Sequence, residues 1–181
     1  MFRKTKLMYY GKDLTIFSCA PVFLNGQPLQ FVTEWKYLGV VLISDKHFIC
    51  SAKKPRASFC RSSNTILNVL RKPSEPMLMK LLYTICVPNI TYSCEVAVYN
   101  SREMDGLHVL VNNAVRKIFS FNRWESIKYL RESLGYKSIT EIFAKRKIVF
   151  EKQLPHIGNS SALFHSFITN CCDFIIVLVI R

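Results

Sequence analysis

Short apolar runs, separated by residues that favour turns, fill the first part of the chain and predict a small antiparallel sheet. Asn25-Gly26 lies between two such runs, and because both residues tolerate positive φ, the pair predicts a β-hairpin. The aromatic and β-branched run Trp35–Ile43 predicts a further strand. Gly39 lies inside this run, and a glycine within a strand often marks the close approach of another backbone or a ligand.

From about residue 47 onward, apolar residues recur at helical spacing instead. The predicted helices cover residues 47–71, 74–87, 101–119, 123–134 and 138–154. Pro55 predicts a bent or delayed start of the first helix, because a proline in a helix removes a backbone donor. Pro88 predicts that the second helix ends at Val87, because the residue before a proline is pushed out of the α region.

Capping patterns mark the ends of the last two helices. Asn122-x-x-Glu125 and Ser138-x-x-Glu141 each predict a capping box that opens a helix. Gly135 follows the first of these helices and predicts its end, because glycine adopts the left-handed conformation common just after a helix.

Together these elements predict an α+β fold, with a small antiparallel β-sheet followed by an α-helical bundle. The predicted domains are residues 1–45 and 46–155, followed by a tail over 156–181. The tail ends in the apolar run Phe174–Ile180, which is much shorter than the about 20 residues of a membrane helix. No membrane association is therefore expected, and a buried strand or an accidental tail both remain open for this run.

The chain carries a formal net charge of +13, with a sequence pI of about 9.6. Such a balance favours nucleic acid or an anionic membrane surface as a partner. On charge alone, a soluble basic protein without a specific acidic partner is an equal alternative. Half of the residues are hydrophobic, which is enough for a packed core and excludes a wholly disordered chain.

The cysteines give no sign of a metal site or a disulfide framework. Their count is seven, their spacing is irregular, and no C-x-x-C occurs. His47, Cys50 and Cys60 form the nearest approach to a metal cluster, and they lack a clear fourth ligand. Thiols in a reducing, intracellular compartment, nuclear or cytoplasmic, are the favoured interpretation.

Four segments, taken in order, resemble the non-LTR (LINE-type) retrotransposon reverse transcriptases. They are Arg3-Lys4-Thr5-Lys6, the run WKYLGV at 35–40, the run LLYTICVPNITY at 81–92, and Asn112-Asn113-x-x-Arg116 followed by Ile118-Phe119. In that family the corresponding segments are the motif before the primer grip, the primer grip itself and two helices of the thumb. The resemblance covers residues 2–154 and implies the end of a polymerase palm followed by a thumb-like helical domain.

The catalytic aspartates of that family precede the lysine motif, at which this chain begins. Two-metal phosphoryl transfer needs carboxylates that hold two cations about 3.5–4 Å apart. The aspartates present have no acidic neighbour, and they are Asp13, Asp45, Asp105 and Asp173. The expectation is therefore a truncated, catalytically incomplete fragment that needs no cofactor, since Mg²⁺ would be required only by the missing palm.

The resemblance also implies nucleic-acid contacts. It places Lys4 near the phosphates of the incoming nucleotide, and it places Lys36, Tyr37 and Gly39 at the primer backbone. Charge and position, rather than a motif, add further phosphate contacts on the thumb-like helices, namely Arg56, Arg61, Arg71 and Lys72. An alternative for Lys4 is a solvated lysine without a ligand. An alternative for the primer-grip residues is ordinary packing within a strand.

The expected activity is weak, non-specific binding of an RNA–DNA or RNA duplex, without catalysis. A separately encoded palm fragment is a further possible partner. The alternative is a non-functional transposon fossil, or a structural partner without nucleic-acid activity, whose uncovered sheet edge would make it prone to aggregation.

Overall fold

A computed structural model of the chain describes residues 5–11, 21–69 and 73–153, together with the backbone of 174–178. It confirms the α+β class, because small antiparallel sheets of two and three strands accompany a set of helices. The chain divides into two compact units, with the divisions at Ser51/Ala52 and Lys152/Gln153. The first unit contains the strands and the second contains the helices.

Strand β1 (Lys6–Tyr10) pairs antiparallel with the last strand, β7 (Phe174–Leu178), so that Lys6 lies opposite Leu178. The apolar run near the end of the chain thus contributes a strand. On β1, Leu7, Met8 and Tyr10 are buried. Burial raises the pKa of the Tyr10 hydroxyl well above its ordinary value, so Tyr10 stays neutral throughout the physiological range.

Strands β2 (Phe23–Leu24) and β3 (Gln27–Pro28) form the hairpin predicted from Asn25-Gly26. The φ angle is 50° at Asn25 and 77° at Gly26. Two consecutive positive φ angles define the type I′ turn, whose twist matches that of the strands it joins. The observed turn confirms the prediction. It was predictable from the sequence because the two residues that form it both tolerate positive φ.

The run Trp35–Ile43 forms two strands, so the prediction of a single strand is wrong. Strand β4 (Glu34–Tyr37) pairs antiparallel with β5 (Val40–Ile43), and Leu38-Gly39 is the turn between them. The φ angle is 44° at Leu38 and 86° at Gly39, again the signs of a type I′ turn. Strand β6 (Ile49–Cys50) then pairs with the other edge of β5.

Over the described part of the chain, the helical unit contains six α-helices. They are α1 (Lys53–Val69), α2 (Glu75–Leu81), α3 (Val87–Thr91), α4 (Ser101–Ile118), α5 (Lys128–Ser133) and α6 (Ile139–Gln153). The delayed start predicted for the first helix is confirmed, since α1 begins two residues before Pro55.

Pro88 does not end the second helix as predicted. Helix α2 continues through a π-helical segment, Leu82–Cys86, directly into α3, in which Pro88 occupies the first turn. A proline in a regular α-helix clashes with the carbonyl four residues earlier, here that of Thr84. The wider π-turn explains how the chain passes Pro88 without leaving the helical region.

The two predicted capping boxes have different outcomes. Ser138 opens α6 as predicted: its Oγ accepts a hydrogen bond from the Glu141 backbone N at 3.2 Å and donates to Glu141 Oε1 at 2.6 Å. Asn122 and Glu125 instead close an isolated turn, in which Asn122 Nδ2 donates to Glu125 Oε1 at 2.9 Å. Helix α5 starts only at Lys128, so the predicted start at residue 123 is wrong.

The predicted role of Gly135 is confirmed. Its φ angle is 73°, its N–H donates to the carbonyl of Glu132 at 3.0 Å, and the N–H of Tyr136 donates to the carbonyl of Arg131 at 3.0 Å. This pair of bonds is the Schellman motif, which satisfies two of the carbonyls left without partners at the end of a helix.

The core of the helical unit lies between α1, α2, α3, α4, α6 and the π-helical segment. Its largest fully buried side chains are Phe59, Met79, Ile90, Leu107, Val115 and Ile139. Each such side chain contributes roughly 1.5–3 kcal/mol of transfer free energy. Glu103 Oε1 accepts a hydrogen bond from the backbone N of Ala52 at 3.1 Å and so ties α4 to the residue before α1.

Candidate nucleic-acid interface

The residues predicted at the primer grip lie at the closed end of the β4–β5 hairpin. Lys36 is exposed and lies opposite Val41, and Tyr37 is 39 % exposed and lies opposite Val40. Gly39 provides the positive φ of the turn, which is a sufficient reason for a glycine there. Gly39 therefore lies in a turn and not inside a strand as expected, and its contact with a primer backbone stays a prediction.

Of the predicted helix contacts, Arg56 and Arg61 are both exposed on α1. The Arg56 guanidinium lies over Gly106 of α4, where an added Cβ atom would be 3.0 Å from Nη1. These two arginines belong to the helical unit, whereas Lys36, Tyr37 and Gly39 belong to the other unit. Lys4, Arg71 and Lys72 lie outside the described residues.

An open cleft of about 370 Å³ lies where α4 ends. Its lining is rich in cationic and polar side chains, and it consists of Asn113, Arg116, Lys117, Ser120, Phe121 and Arg123. We call this set the cationic cleft. Three of these six side chains are cations, and none is a carboxylate.

The end of α4 gives the cationic cleft its shape. Ser120 has a φ angle of 55°, and the N–H of Phe121 donates to the carbonyl of Arg116 at 2.9 Å. This bond turns the chain back toward the last turn of the helix, in the manner of a Schellman motif with serine in the usual glycine position. Phe121 therefore lies beside Arg116 and Lys117 rather than beyond them.

The Arg116 guanidinium is held at two points. Its Nε donates to the backbone carbonyl of Glu125 at 3.0 Å, and its Nη1 donates to Asn113 Oδ1 at 3.0 Å. A guanidinium has five N–H donors, so three remain for a ligand. Planar guanidinium groups suit phosphate oxygens, because two donors can bind one phosphate at the same time.

The charges of the cationic cleft are largely uncompensated by acidic side chains. An ion pair is present between Arg146 and Glu95 at 3.4 Å, and neither residue lines the cleft. The Glu125 carboxylate, in the turn beside the cleft, accepts a hydrogen bond from Asn122. The negative groups of a bound polyanion can therefore contact the cleft cations without displacing an existing ion pair.

Arg146 shows that a basic residue in this protein can have a purely structural role. Its Nη1 donates to the carbonyl of Thr91 at 2.9 Å as well as to Glu95, so it ties α6 to the end of α3. Arg146 is accordingly a weaker candidate for ligand binding than the cations of the cationic cleft.

A buried polar group supports the helix that carries the cleft. Arg131 of α5 is only 8 % exposed, and its Nη1 donates to Asn112 Oδ1 of α4 at 3.4 Å. Tyr83 donates to the carbonyl of Lys137 at 3.0 Å, and burial raises the pKa of its hydroxyl to about 12. Tyr83 is thus neutral and serves as a hydrogen-bond donor within the fold.

Sequence reasoning did not identify Arg116, Lys117 and Arg123 as binding residues. Asn113 and Arg116 belong to the Asn112-Asn113-x-x-Arg116 motif, which the resemblance assigns to a thumb helix and not to a binding site. The available signal was the segment 116–124, in which Arg116, Lys117 and Arg123 lie close in sequence to Phe119, Phe121 and Trp124. Such a combination is typical of surfaces that bind nucleic acid.

Within the described ranges, no group of three histidine, cysteine or acidic side chains is arranged to hold a metal ion. No helix in those ranges has the length and apolar character needed to span a bilayer.

Comparison with known proteins found no match to a family model, to a curated protein or to a solved structure. The resemblance to non-LTR reverse transcriptases therefore depends on the quoted motifs alone and stays a prediction.

Proposed function

We propose that this protein binds the sugar–phosphate backbone of nucleic acid through the cationic cleft, without reading sequence. The observation that carries the proposal is the convergence of Arg116, Lys117 and Arg123 on one cleft whose described lining contains no carboxylate. Cationic side chains that contact phosphates set affinity and position but do not distinguish bases. The net charge of +13 supports the same class of partner.

The motif resemblance suggests an RNA–DNA or RNA duplex as the ligand, and an evolutionary origin in a non-LTR reverse transcriptase. Under this proposal the chain contributes grip and thumb-like contacts, and it carries out no polymerisation by itself. Any DNA synthesis would depend on a separate palm fragment that supplies the metal-binding carboxylates. Lys36 and Tyr37 on the β4–β5 hairpin, and Arg56 and Arg61 on α1, are proposed as further backbone contacts.

Fluorescence anisotropy with a labelled RNA–DNA hybrid tests the proposal. The test variant replaces three cleft cations (Arg116→Gln, Lys117→Gln and Arg123→Gln). The matched control removes the same charge from exposed lysines elsewhere on the helical unit (Lys80→Gln, Lys145→Gln and Lys152→Gln).

At low salt we expect the cleft variant to bind at least about tenfold more weakly than the control, because phosphate contacts dominate such affinities. Thermal unfolding of both variants checks that each is folded. Equal affinities of the two variants would show that net charge alone, rather than the cleft, causes the binding. Absence of binding by the wild type would leave the structural alternative, without nucleic-acid activity.

A further inference from the structure

Trp124 follows the last cation of the cleft, Arg123, and it is 88 % exposed. The Arg123 guanidinium carbon lies 5.7 Å from the centroid of the Trp124 ring. A large aromatic ring this exposed, beside the cleft lining, leaves apolar aromatic surface accessible to a ligand of the cleft. Phe121, which is 37 % exposed, adds a second aromatic residue to the cleft.

The arrangement matches what an unpaired nucleotide requires. Its phosphate needs a cation, and its base, once out of a duplex, needs an aromatic face on which to stack. Arg123 provides the first and Trp124 the second, from neighbouring residues. A guanidinium over one face of an indole also strengthens the platform through a cation–π interaction.

Within a duplex the bases stack on each other, and the phosphates are the groups that face the cleft. The exposed Trp124 ring therefore favours a nucleic acid with an unpaired base over a fully paired duplex. It suits a single strand, or the unpaired end of a duplex, in which a base is free to stack.

We propose that Trp124 is a stacking platform for an unpaired base and that, with the cationic cleft, it makes this protein prefer nucleic acid with a single-stranded segment over a fully paired duplex. This inference rests on the proposed backbone binding by the cleft and names the form of nucleic acid that the cleft takes. The proposed site consists of Arg116, Phe121, Arg123 and Trp124.

The chain offers a direct spectroscopic reporter, because it contains only two tryptophans. The other one, Trp35, has a buried indole nitrogen without a hydrogen-bond partner among the described residues. Trp35→Phe therefore removes no hydrogen bond, and it leaves Trp124 as the sole tryptophan. The full chain with this change is titrated with an RNA–DNA hybrid, either blunt or with an overhang of thymidines.

We expect the overhang to quench Trp124 fluorescence and to raise the affinity over that of the blunt hybrid. Trp124→Ala should lower the affinity for the overhang hybrid by roughly 5- to 10-fold, at the lower end of what a stacked base contributes, and leave the blunt hybrid nearly unchanged. Trp124→Phe should restore part of the affinity. Phe23→Ala, at an exposed aromatic residue of the strand unit, is the matched control and should change neither affinity.

Three outcomes that would overturn the stacking proposal are distinguishable. If both hybrids bind equally, with salt-dependent affinity that the cleft charges determine, and Trp124 fluorescence does not respond, the stacking proposal is overturned and the backbone-binding proposal stands. If neither hybrid binds at low salt, both proposals are overturned. A blue shift of Trp124 emission with vesicles of anionic phospholipid, and no response to the overhang hybrid, would also overturn the stacking proposal and would indicate a membrane surface as the partner.

Discussion

Arg116, in the last turn of α4, donates a hydrogen bond from Nε to the backbone carbonyl of Glu125, 3.0 Å away. This bond links the end of the helix to the isolated turn that Asn122 and Glu125 close. Because this turn contains both Arg123 and Trp124, the position of one cleft cation depends on the bond made by another. Hydrogen bonds within the fold thus position the cations of the cationic cleft.

The first prediction separates a positioned guanidinium from a simple positive charge. Arg116→Lys keeps the charge but cannot make both bonds of Arg116, to Glu125 and to Asn113. We expect it to weaken hybrid binding by about fivefold or more, because charged hydrogen bonds are each worth roughly 1.5–3 kcal/mol. The reverse change, Lys117→Arg, should leave affinity equal or slightly higher. Anisotropy titrations measure both, and equal effects of the two substitutions would contradict the positioning role.

The second prediction concerns the turn at Leu38-Gly39. Leu38 has a φ angle of 44°, which costs an ordinary side chain roughly 1–2 kcal/mol, whereas asparagine tolerates this conformation. Leu38→Asn should therefore raise the free energy of unfolding of the strand unit by about 0.5–1 kcal/mol.

The matched change in the other hairpin, Asn25→Leu, should lower the same quantity by a similar amount, since Asn25 has a φ angle of 50°. Urea unfolding followed by Trp35 fluorescence in a Trp124→Phe background reports on β4 directly. A destabilising Leu38→Asn would contradict the type I′ turn.

The third prediction opposes two glycine-to-alanine changes in the helical unit. Gly106→Ala should stabilise the unit by about 0.5–1 kcal/mol, because alanine is the better helix former. Its added Cβ meets only the flexible end of the Arg56 side chain, 3.0 Å away, which can move aside. Gly135→Ala should destabilise by about 1 kcal/mol or more, because its φ angle is 73°. Chemical denaturation followed by circular dichroism measures both, and effects of the same sign would refute one of the two assignments.

The fourth prediction concerns acid stability at the start of α6. The hydrogen bonds from Ser138 lower the pKa of Glu141 below its usual value of 4.5. A carboxylate with a depressed pKa contributes stability that is fully present above its unfolded-state pKa and is lost as the pH falls through its folded-state pKa. Glu141→Gln should therefore lower the melting temperature at neutral pH, and the difference from the wild type should shrink as the pH falls below 4.5.

Glu151→Gln provides the control for this pH series, because Glu151 lies in the last turn of the same helix. A negative charge at that end opposes the helix dipole, so its removal should cost nothing at neutral pH. A constant difference between Glu141→Gln and the wild type across the pH range would contradict the capping role of the Glu141 charge.

The features that the sequence predicts well are those encoded by a few adjacent residues. Asn25-Gly26 sets a turn, Ser138 and Glu141 cap a helix, and Gly135 ends one, each through bonds within its own segment. The second hairpin turn, at Leu38-Gly39, was not predicted from the sequence. Leucine at positive φ is unfavourable, and the apolar run around it is typical of one continuous strand.

Other features depend on contacts that no local pattern reveals. Pro88 is accommodated by the π-helical segment before it, so the local preference of the preceding residue does not decide where the helix ends. The cationic cleft requires the reversal at Ser120 and the bond from Arg116 to Glu125, both of which depend on the folded end of α4. The charge was visible in the sequence, but its convergence on one cleft was not.

The salt dependence of hybrid binding tests the central claim most directly. The logarithm of the binding constant is measured against the logarithm of salt concentration for the wild type and for the variant that replaces Arg116, Lys117 and Arg123 with glutamine. Removing a cation that neutralises one phosphate should make the slope shallower by about 0.9, because fewer condensed counterions are then released on binding. If the cleft is the binding site, the slope for this variant is shallower than the slope for the wild type. It is also shallower than the slope for the control variant, in which Lys80, Lys145 and Lys152 are replaced with glutamine. Equal slopes for all three proteins would contradict it.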